Sequence, residues 1–243
     1  GRAAERILFA VATKPGDLVP NNTHFDTTRA NLEFDGVEAV DLVIKEGLDP
    51  RDPHPFKGDI DLDRLGALLE KEAHRDPFGM MTVTNNSGGG QPVSMANARE
   101  VAAICKKRGI LFILDACRIA ENSWFIRHRE AGFEQKTYRE IAREMFALAD
   151  GCVFSAKKDA LVNMGGFLAL RDLDLALQCR TVLIITEGYS TYGGLSGRDM
   201  EAIAVGLDEV FEPDYLHYRI KSTEYLCENL HRLGIPVMRP AGG

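Results

Sequence analysis

Short runs of apolar residues alternate along this chain with longer stretches in which apolar residues recur every three or four positions. The short runs predict β-strands, and the longer stretches predict helices with one apolar face. The predicted strands cover residues 38–44, 80–84, 110–114, 151–154, 167–170 and 235–238. The predicted helices cover residues 3–12, 61–74, 94–108, 119–127, 138–148, 173–183, 198–211 and 214–233, and residues 19–28 are expected to be irregular.

Most of the predicted strands are apolar throughout, as residues 110–114 are. Strands of this kind are typically buried on both faces of a parallel sheet. Because strands alternate with helices along the chain, the pattern predicts an α/β fold with a mostly parallel sheet flanked by helices. In such sheets, ligands bind at the carboxyl ends of the strands.

Composition and charge exclude only a few classes of function. The chain has 243 residues and a net charge of −7, which argues against a general nucleic-acid-binding surface. Apolar runs stay well below the ~20 residues that span a bilayer, and no signal peptide is visible. The five cysteines lack the spacing of a metal site, and we expect free, buried thiols in a reducing compartment. We therefore expect a cytoplasmic protein.

Three predicted strands are followed directly by unusual polar segments. These segments are residues 85–90, 115–118 and 155–158. Because ligand-binding residues gather at the carboxyl ends of strands, we expect the three segments to form one site. That expectation changes the interpretation of Lys157 and Lys158, which on their own are more typical of a solvated loop.

Lys158 and Asp115 are the candidates for chemistry at this site. A lysine at the end of a buried strand loses hydration, which favours the neutral amine, and a neutral amine can attack a carbonyl to form a Schiff base. Asp115 either caps the next helix or pairs with a cationic ring nitrogen, such as that of pyridoxal phosphate. Arg118 either reaches the same cleft or contacts water on the first turn of a helix.

Other residues have chemistry that suits a phosphorylated, planar ligand. Ser155, and Gly1 with Arg2 at the start of the first predicted helix, can bind a phosphate. Asn86 lies in a loop with three consecutive glycines and can donate to a phenolate oxygen, although an ordinary flexible loop is the alternative. Phe25 can stack on a planar cofactor, whereas a lone aromatic residue more often simply packs.

Taken together, these residues resemble the β-eliminating lyases, the family of tryptophanase and tyrosine phenol-lyase. The resemblance spans essentially the whole chain. Its motifs are Gly1-Arg2 with Ala4-Glu5, Asn86 with Gly89-Gly90-Gln91-Pro92-Val93-Ser94-Met95-Ala96-Asn97, Asp115-Ala116 with Arg118, Glu121-Asn122 before Phe125-Ile126, Ser155-Ala156-Lys157-Lys158-Asp159, and Tyr192-Gly193-Gly194-Leu195. The resemblance implies a fold-type-I pyridoxal phosphate enzyme. Residues 1–210 would form the cofactor-binding large domain, and residues 211–243 a long helix and strand leading into a truncated C-terminal small domain.

The resemblance also implies roles for individual residues. Lys158 would form the Schiff base with pyridoxal phosphate and later move the α-proton of the substrate, and Asp115 would pair with the pyridine nitrogen. The other implied contacts are Arg118 and Asn86 near O3′ and the substrate carboxylate, Phe25 on the ring, Gly1, Arg2 and Ser155 at the phosphate, and Lys157 near the phosphate and active-site water. Tyr192 would border the site, and Asn163 matches a position near the family's monovalent-cation site, where K⁺ is expected.

The residue signatures favour tryptophan as the substrate, with β-elimination to indole, pyruvate and ammonium. Tyrosine phenol-lyases typically have Thr after the stacking Phe, whereas this chain has Asp26, as tryptophanases do. Asp26 can accept a hydrogen bond from the indole N–H or help to shift a proton during indole release. Residues 85–87 also look like tryptophanase, while residues 197–202 look more like tyrosine phenol-lyase.

Several alternatives stay open at this point. They are a tyrosine phenol-lyase, an aminotransferase or cystathionine-type lyase that would lack the Asn86 loop, and an inactive fragment or scaffold. The chain starts at Gly1 without a methionine and stops just after a predicted strand, so we expect a fragment that lacks an N-terminal segment and a C-terminal domain. By resemblance we expect a homo-oligomer, a tetramer, that acts on a small amino acid and binds neither nucleic acid nor membrane.

Overall fold

Helices and strands alternate in the computed structural model, which describes residues 1–72, 74–75 and 77–243. The helices are α1 (Arg2–Ala12), α2 (Asp26–Phe34), α3 (Lys45–Leu48), α4 (Leu62–Glu72), α5 (Met95–Arg108), α6 (Ile119–Arg129), α7 (Tyr138–Leu148), α8 (Leu173–Thr186), α9 (Gly197–Glu209) and α10 (Pro213–Arg232). The strands are β1 (Leu18–Asn21), β2 (Glu38–Asp41), β3 (Phe78–Thr82), β4 (Leu111–Asp115), β5 (Gly151–Ser155) and β6 (Gly166–Leu170). None of the helices in the described ranges is long and apolar enough to cross a membrane.

The main sheet has the strand order β3–β4–β5–β6. Strands β3, β4 and β5 are parallel, with Thr82 opposite Asp115 and Asp115 opposite Val153. Strand β6 runs antiparallel to β5, with Ser155 opposite Gly166. Strands β1 and β2 form a separate parallel pair. The predicted α/β architecture with a mostly parallel sheet is therefore confirmed.

Both faces of the main sheet are covered, which explains why its strands are apolar throughout. Phe112 and Leu114 of β4 belong to a core cluster that includes residues of α4, α5 and α7. Between them, Ile113 belongs to a second cluster with Leu8 and Phe9 of α1. Successive side chains of a strand point to opposite faces, so one strand contributes to both clusters. A third cluster packs α10 against α6.

The helix boundaries follow local sequence signals. Ser94 accepts a hydrogen bond from the Asn97 amide at the start of α5, and Thr137 and Glu140 form a reciprocal capping box at the start of α7. Gly109 ends α5 with a φ of 71°, a left-handed conformation that glycine adopts without steric cost. These caps place both helices close to their predicted positions.

Several predicted elements differ from the structure. No strand forms at residues 235–238, and directly after them Lys57 and Gln91 bind the carbonyls of Arg239 and Pro240 through their side chains. Residues 19–28 are not irregular but contain most of β1 and the start of α2. Strand β1 has only four residues, too few to show a periodic pattern, and its pairing with β2 defines it.

One predicted strand is shorter than expected, another is displaced, and one predicted helix is only partly described. The strand predicted at 38–44 is limited to Glu38–Asp41, because Val43 forms only an isolated bridge with Ile60. The strand predicted at 80–84 lies two residues earlier, at Phe78–Thr82. Residue 73, within the helix predicted at 61–74, lies outside the described residues.

The side chain of Asn22 connects the β1–β2 pair to the main sheet. Its Nδ2 donates to the carbonyls of Gly58 (2.8 Å) and Thr82 (2.9 Å), and its Oδ1 accepts from the amides of Thr82 (3.0 Å) and Thr23 (3.0 Å). Asn22 is fully buried. One side chain therefore satisfies four backbone groups where the end of β1 meets the end of β3.

We predict that Asn22→Ala destabilises the protein by about 3 kcal/mol or more, because each buried backbone group that loses its partner costs about 1–3 kcal/mol. Chemical denaturation of the variant measures this loss. Asn229→Ala is the matched control, since the Asn229 side chain makes only exposed hydrogen bonds on α10, donating to the Tyr225 carbonyl and accepting from Arg232 Nη1. Equal unfolding free energies for the two variants would show that Asn22 does not join the strands.

Asp59 gives the stability of the fold a specific pH dependence. Burial raises the pKa of Asp59 from 3.8 to about 7, although the Ser94 amide and hydroxyl both donate to its carboxylate. Between these two values the folded state holds a proton that the unfolded state releases. Stability therefore falls as the pH rises through this window, at up to about 1.4 kcal/mol per pH unit.

We predict that Asp59→Asn reduces this fall, because the amide keeps an acceptor for the Ser94 amide and cannot ionise. The measurement is the unfolding free energy at intervals from pH 4 to about pH 7. Asp172→Asn is the control: it removes the same charge from an exposed carboxylate that caps α8. If the wild type and Asp59→Asn have parallel pH profiles, the assignment to Asp59 is wrong.

Candidate active site

The polar segments predicted to form one site lie at the carboxyl edge of the main sheet. Asp115 ends β4, Ser155 ends β5, and the segment from Asn85 begins shortly after the end of β3. The three strands are parallel neighbours, so their carboxyl ends lie side by side. The expected convergence of the three segments is thus explained by the order and direction of the strands.

Lys158 lies one turn beyond the end of β5. Its Nζ donates to Ser155 Oγ at 3.0 Å, and its amide donates to the Ser155 carbonyl at 3.4 Å. Lys158 is half-buried, whereas Lys157 is exposed. The turn therefore directs the two lysines into different environments, and only Lys158 contacts the strand end.

The start of α1 packs directly against this turn. The Gly1 nitrogen donates to the Phe154 carbonyl at 2.7 Å. A Cβ on Gly1 would lie 3.2 Å from Ser155 Oγ, and a Cβ on Gly166 would lie 2.3 Å from the Gly1 nitrogen. Two glycines thus allow a helix N-terminus to approach the Ser155 hydroxyl, and the first N–H groups of a helix lack partners within it. This arrangement suits a phosphate.

Asp115 is buried and is held by the residue two positions after it. Cys117 Sγ donates to Asp115 Oδ1 at 2.6 Å, and the Cys117 amide approaches the same oxygen at 3.4 Å. Glu5 of α1 lies near enough for the two charges to interact: burial first, and then the charge of Asp115, raises the pKa of Glu5. Thr28 donates to Glu5 Oε1 at 2.6 Å.

Arg118 is part of a charged cluster that extends to α10. Its Nε lies 3.9 Å from Glu121 Oε2, and Arg219 Nε on α10 lies 3.1 Å from Glu121 Oε1. Burial raises the pKa of Glu121 despite both arginines. Burial also raises the pKa of Asp159 well above its ordinary value, with the charge of Glu121 as the next cause.

The glycine-rich segment contacts the loop that carries Phe25. Ser87 Oγ donates to the His24 carbonyl at 3.0 Å, and Asn85 Nδ2 donates to Thr23 Oγ1 at 3.2 Å. Asn86 begins a single 3₁₀ turn and is half-buried, as is Phe25. The structure therefore places the predicted stacking residue and the predicted phenolate donor on adjoining loops.

Buried polar atoms without partners lie in the same two loops. They are His24 Nε2, Thr84 Oγ1 and Asn85 Oδ1. The opposite ring nitrogen of His24 lies 2.7 Å from Asp41 Oδ1, and burial lowers the pKa of His24. Buried polar groups are normally satisfied, so these atoms indicate that a further polar group belongs beside the loops.

The remaining predicted site residues lie on the surface of the described chain. Arg2 is exposed at the start of α1, and Asp26 is exposed at the start of α2. Asn163 is exposed in the segment before β6. Tyr192 is 46% exposed in a turn before α9. The hydrogen bond of its amide is to the Tyr189 carbonyl, and the described contacts do not join Tyr192 to Lys158 or Asp115.

Sequence reasoning missed three residues of the site. The cysteines were expected to be ordinary buried thiols, but Cys117 and Cys227 are half-buried, and Cys117 donates a hydrogen bond to the Asp115 carboxylate. Glu5 and Asp159 were quoted only as parts of motifs, although both are buried acids, and Asp159 Oδ2 accepts from the Ala120 amide at 2.6 Å. The available signal for Cys117 and Asp159 was their position, directly beside Arg118 and Lys158 in the sequence.

The described residues fit pyridoxal phosphate. The Gly1–Ser155 region can accept its phosphate, Asp115 offers a buried carboxylate for a cationic ring nitrogen, and Lys158 offers an amine for its aldehyde. Phe25 follows His24, whose carbonyl accepts from Ser87, and is available to cover the pyridine ring of the cofactor.

Comparison with known proteins agrees with this arrangement. The family model described as β-eliminating lyase matches residues 1–242. A tryptophanase of Salinibacter ruber is 58% identical over 243 residues, which are 100% of this chain and 52% of that protein. A tyrosine phenol-lyase of Symbiobacterium thermophilum is 46% identical over 244 residues, covering 100% of this chain and 53% of that protein. The chain thus spans about half the length of the curated relatives it matches.

A solved structure supports the fold independently of close sequence similarity. Cystalysin from Treponema denticola, which contains a pyridoxal 5′-phosphate cofactor, superposes with a TM-score of 0.67 at 14% identity. The match covers 96% of this chain and 54% of cystalysin. The predicted fold class, the large domain of fold-type-I enzymes, is confirmed. With the family match over nearly its full length, the chain belongs to the β-eliminating lyase family.

Proposed function

We propose that this chain forms the cofactor-binding part of a pyridoxal phosphate-dependent lyase that eliminates indole from L-tryptophan. The observation that carries the proposal is the junction of two parallel strand ends. Asp115 at the end of β4 and Lys158 beyond the end of β5 are joined through Cys117 and Ser155. A buried carboxylate and a hydrogen-bonded amine at one sheet edge suit this cofactor class.

Each residue of the junction has a separate task in the proposal. Ser155 and the N-terminus of α1 bind the phosphate, Asp115 keeps a proton on the ring nitrogen, and Phe25 covers the ring face. When bound, pyridoxal phosphate supplies an aldehyde for the amine and a protonated ring that withdraws electrons from the substrate α-carbon.

Lys158 also moves protons in the proposal. Once its Nζ is free, the amine accepts the α-proton of the bound amino acid, and its bond to Ser155 Oγ keeps it beside the sheet edge. Arg118 and Asn86 orient the substrate carboxylate region and the O3′ side of the cofactor. The net reaction is L-tryptophan and water giving indole, pyruvate and ammonium.

Asp26 and the relatives support tryptophan as the substrate. Asp26 begins α2 directly after Phe25 and beside the loop that Ser87 contacts, and in the proposal its carboxylate accepts from an indole N–H when the site is complete. The tryptophanase relative is 58% identical and the tyrosine phenol-lyase relative 46%. Release of phenol from L-tyrosine is the second candidate, favoured by the sequence of residues 197–202.

The proposal extends to the assembly and its surroundings. Residues 1–210 form the large domain, and α10 within residues 211–243 leads towards a smaller one. The complete lyase is a cytoplasmic homotetramer, and Asn163 contributes to a monovalent-cation site that K⁺ occupies. Lys157 is a polar neighbour of the phosphate and of active-site water, and Arg2 assists at the phosphate. Tyr192 borders the substrate.

We predict that Lys158→Ala in the full-length protein abolishes the absorbance band that pyridoxal phosphate gains on forming a Schiff base with the protein, and the covalent fixation of the cofactor by borohydride. The amine that forms the bond is removed, so elimination activity also falls to background. Absorbance spectra and peptide mapping after borohydride reduction measure these losses.

Lys157→Ala is the matched control, because it removes the adjacent lysine, which is exposed. This variant is expected to keep the reducible band and the label on Lys158. A label on Lys157, or normal turnover by Lys158→Ala, would overturn the assignment. A wild-type protein without any reducible band would instead indicate an inactive scaffold.

We predict that Asp26→Thr lowers activity on L-tryptophan by about 100-fold, the scale of lost acid–base assistance, and activity on S-alkyl cysteines far less. A thiolate can leave without being protonated, whereas the indole group must be protonated before it leaves. Rates on both substrates and assays for indole and phenol measure the difference. Glu33→Gln, at an exposed position on the same helix, is the control. Equal losses on both substrates would contradict an indole-directed role for Asp26.

A further inference from the structure

Cys117 stands between the two strand ends that carry the proposed chemistry. It follows Asp115 by two residues, and its Sγ donates to Asp115 Oδ1 at 2.6 Å. The Ser155 amide donates to the same sulfur at 3.3 Å. The Cys117 carbonyl accepts from the amide of Asp159, the residue after Lys158, at 3.3 Å. One residue therefore connects the turn after β4 to the turn after β5 through both its side chain and its backbone.

The thiol stays protonated in this environment. Burial, and then the charge of Asp115 and the hydrogen bond to it, raises the pKa of Cys117 well above its ordinary value. The Ser155 amide and Lys158 oppose that rise. The charged groups that act on the thiol include Asp115 at the end of β4 and Lys158 in the turn after β5. A protonated thiol is a donor, which matches its contact with a carboxylate oxygen.

The two oxygens of Asp115 are consequently in different situations. Oδ1 accepts from both the sulfur and the amide of Cys117. No hydrogen bond to Oδ2 is found among the described residues. A carboxylate fixed at one oxygen has a defined orientation, and the second oxygen can then accept from a ring N–H.

We propose that Cys117 is a positioning residue that holds the Asp115 carboxylate through Oδ1, so that Oδ2 faces the ring nitrogen of the cofactor. This inference rests on the proposed function, because it assigns the use of Oδ2. The thiol acts through Asp115 and does not itself touch the substrate. Buried free cysteines more often serve as small apolar residues, so the test must separate the hydrogen bond from the volume.

The matched pair Cys117→Val and Cys117→Thr makes this separation, since Val and Thr have the same shape and only Thr has a donor. For each full-length variant, we measure the dissociation constant for pyridoxal phosphate by equilibrium dialysis. We also measure the pH midpoint of the visible band of the bound cofactor. Cys179→Val removes a buried thiol from α8 and is the control for loss of a cysteine.

We expect Cys117→Val to weaken cofactor binding about ten-fold, the effect of losing a hydrogen bond to a charged group. A poorly aligned Asp115 carboxylate holds the proton on the cofactor's ring nitrogen less firmly. The ring then withdraws electrons less strongly, so the nitrogen that links the cofactor to Lys158 becomes more basic. The band midpoint should therefore move to higher pH by about half a unit or more. Cys117→Thr should restore both values, and Cys179→Val should leave them unchanged.

The outcomes distinguish this inference from the proposed function. A wild-type protein without a Lys158-dependent band overturns the function itself. A normal wild-type band with identical midpoints and affinities for the Val and Thr variants overturns only the role of Cys117. Equal losses in both variants show that the sulfur's volume matters and its hydrogen bond does not. If Cys117→Val does not fold, Cys117→Ala replaces it, with Cys117→Ser as its donor-bearing partner.

Discussion

The parallel pairing of β4 with β5 is the constraint on which the candidate site depends. Because the strands run in the same direction, Asp115 and Ser155 reach the same edge of the sheet, although about 40 residues separate them in the chain. The connection between the strands, α6 and α7, covers the sheet and contributes to its cores. An antiparallel arrangement would place the carboxylate and the amine at opposite edges.

Small residues and buried hydrogen bonds make the edge a specific site. Gly1 and Gly166 allow the start of α1 to meet the end of β5, where a Cβ would collide or crowd. Asp159 ties the lysine turn to the start of α6 through the Ala120 amide. Such contacts fix side chains before a ligand binds. A site preorganised in this way need not rearrange its charged groups during the reaction.

Buried acids surround the junction, and this has a cost in stability. Burial raises the pKa of Glu5, Glu121 and Asp159. A folded protein that binds protons more tightly than its unfolded chain loses stability as the pH rises through those values. The arrangement is understandable if function requires the charges, since sites of chemistry are where perturbed groups collect. The family membership of the chain agrees with that interpretation.

The sequence alone determined the layers of the fold and the main candidates at its edge. Continuous apolar runs can only be satisfied by a sheet covered on both faces, so the α/β class and the importance of strand ends followed from pattern. Asp115 could be selected because it directly follows such a run, and Lys158 because it lies four residues after one. A strand as short as β1, with four residues, gave no periodic signal, and the segment 235–238 pairs with none of the described strands.

Only the tertiary structure decided which side chains touch. The bond from Cys117 to Asp115, the approach of Glu5 and the linkage of Arg118 through Glu121 to α10 depend on strand order and helix packing. The spacing of apolar residues along one helix or strand indicates which of its faces is shielded from water. It carries no information on which distant element lies alongside, and that is why Cys117 appeared in the sequence as one buried thiol among five.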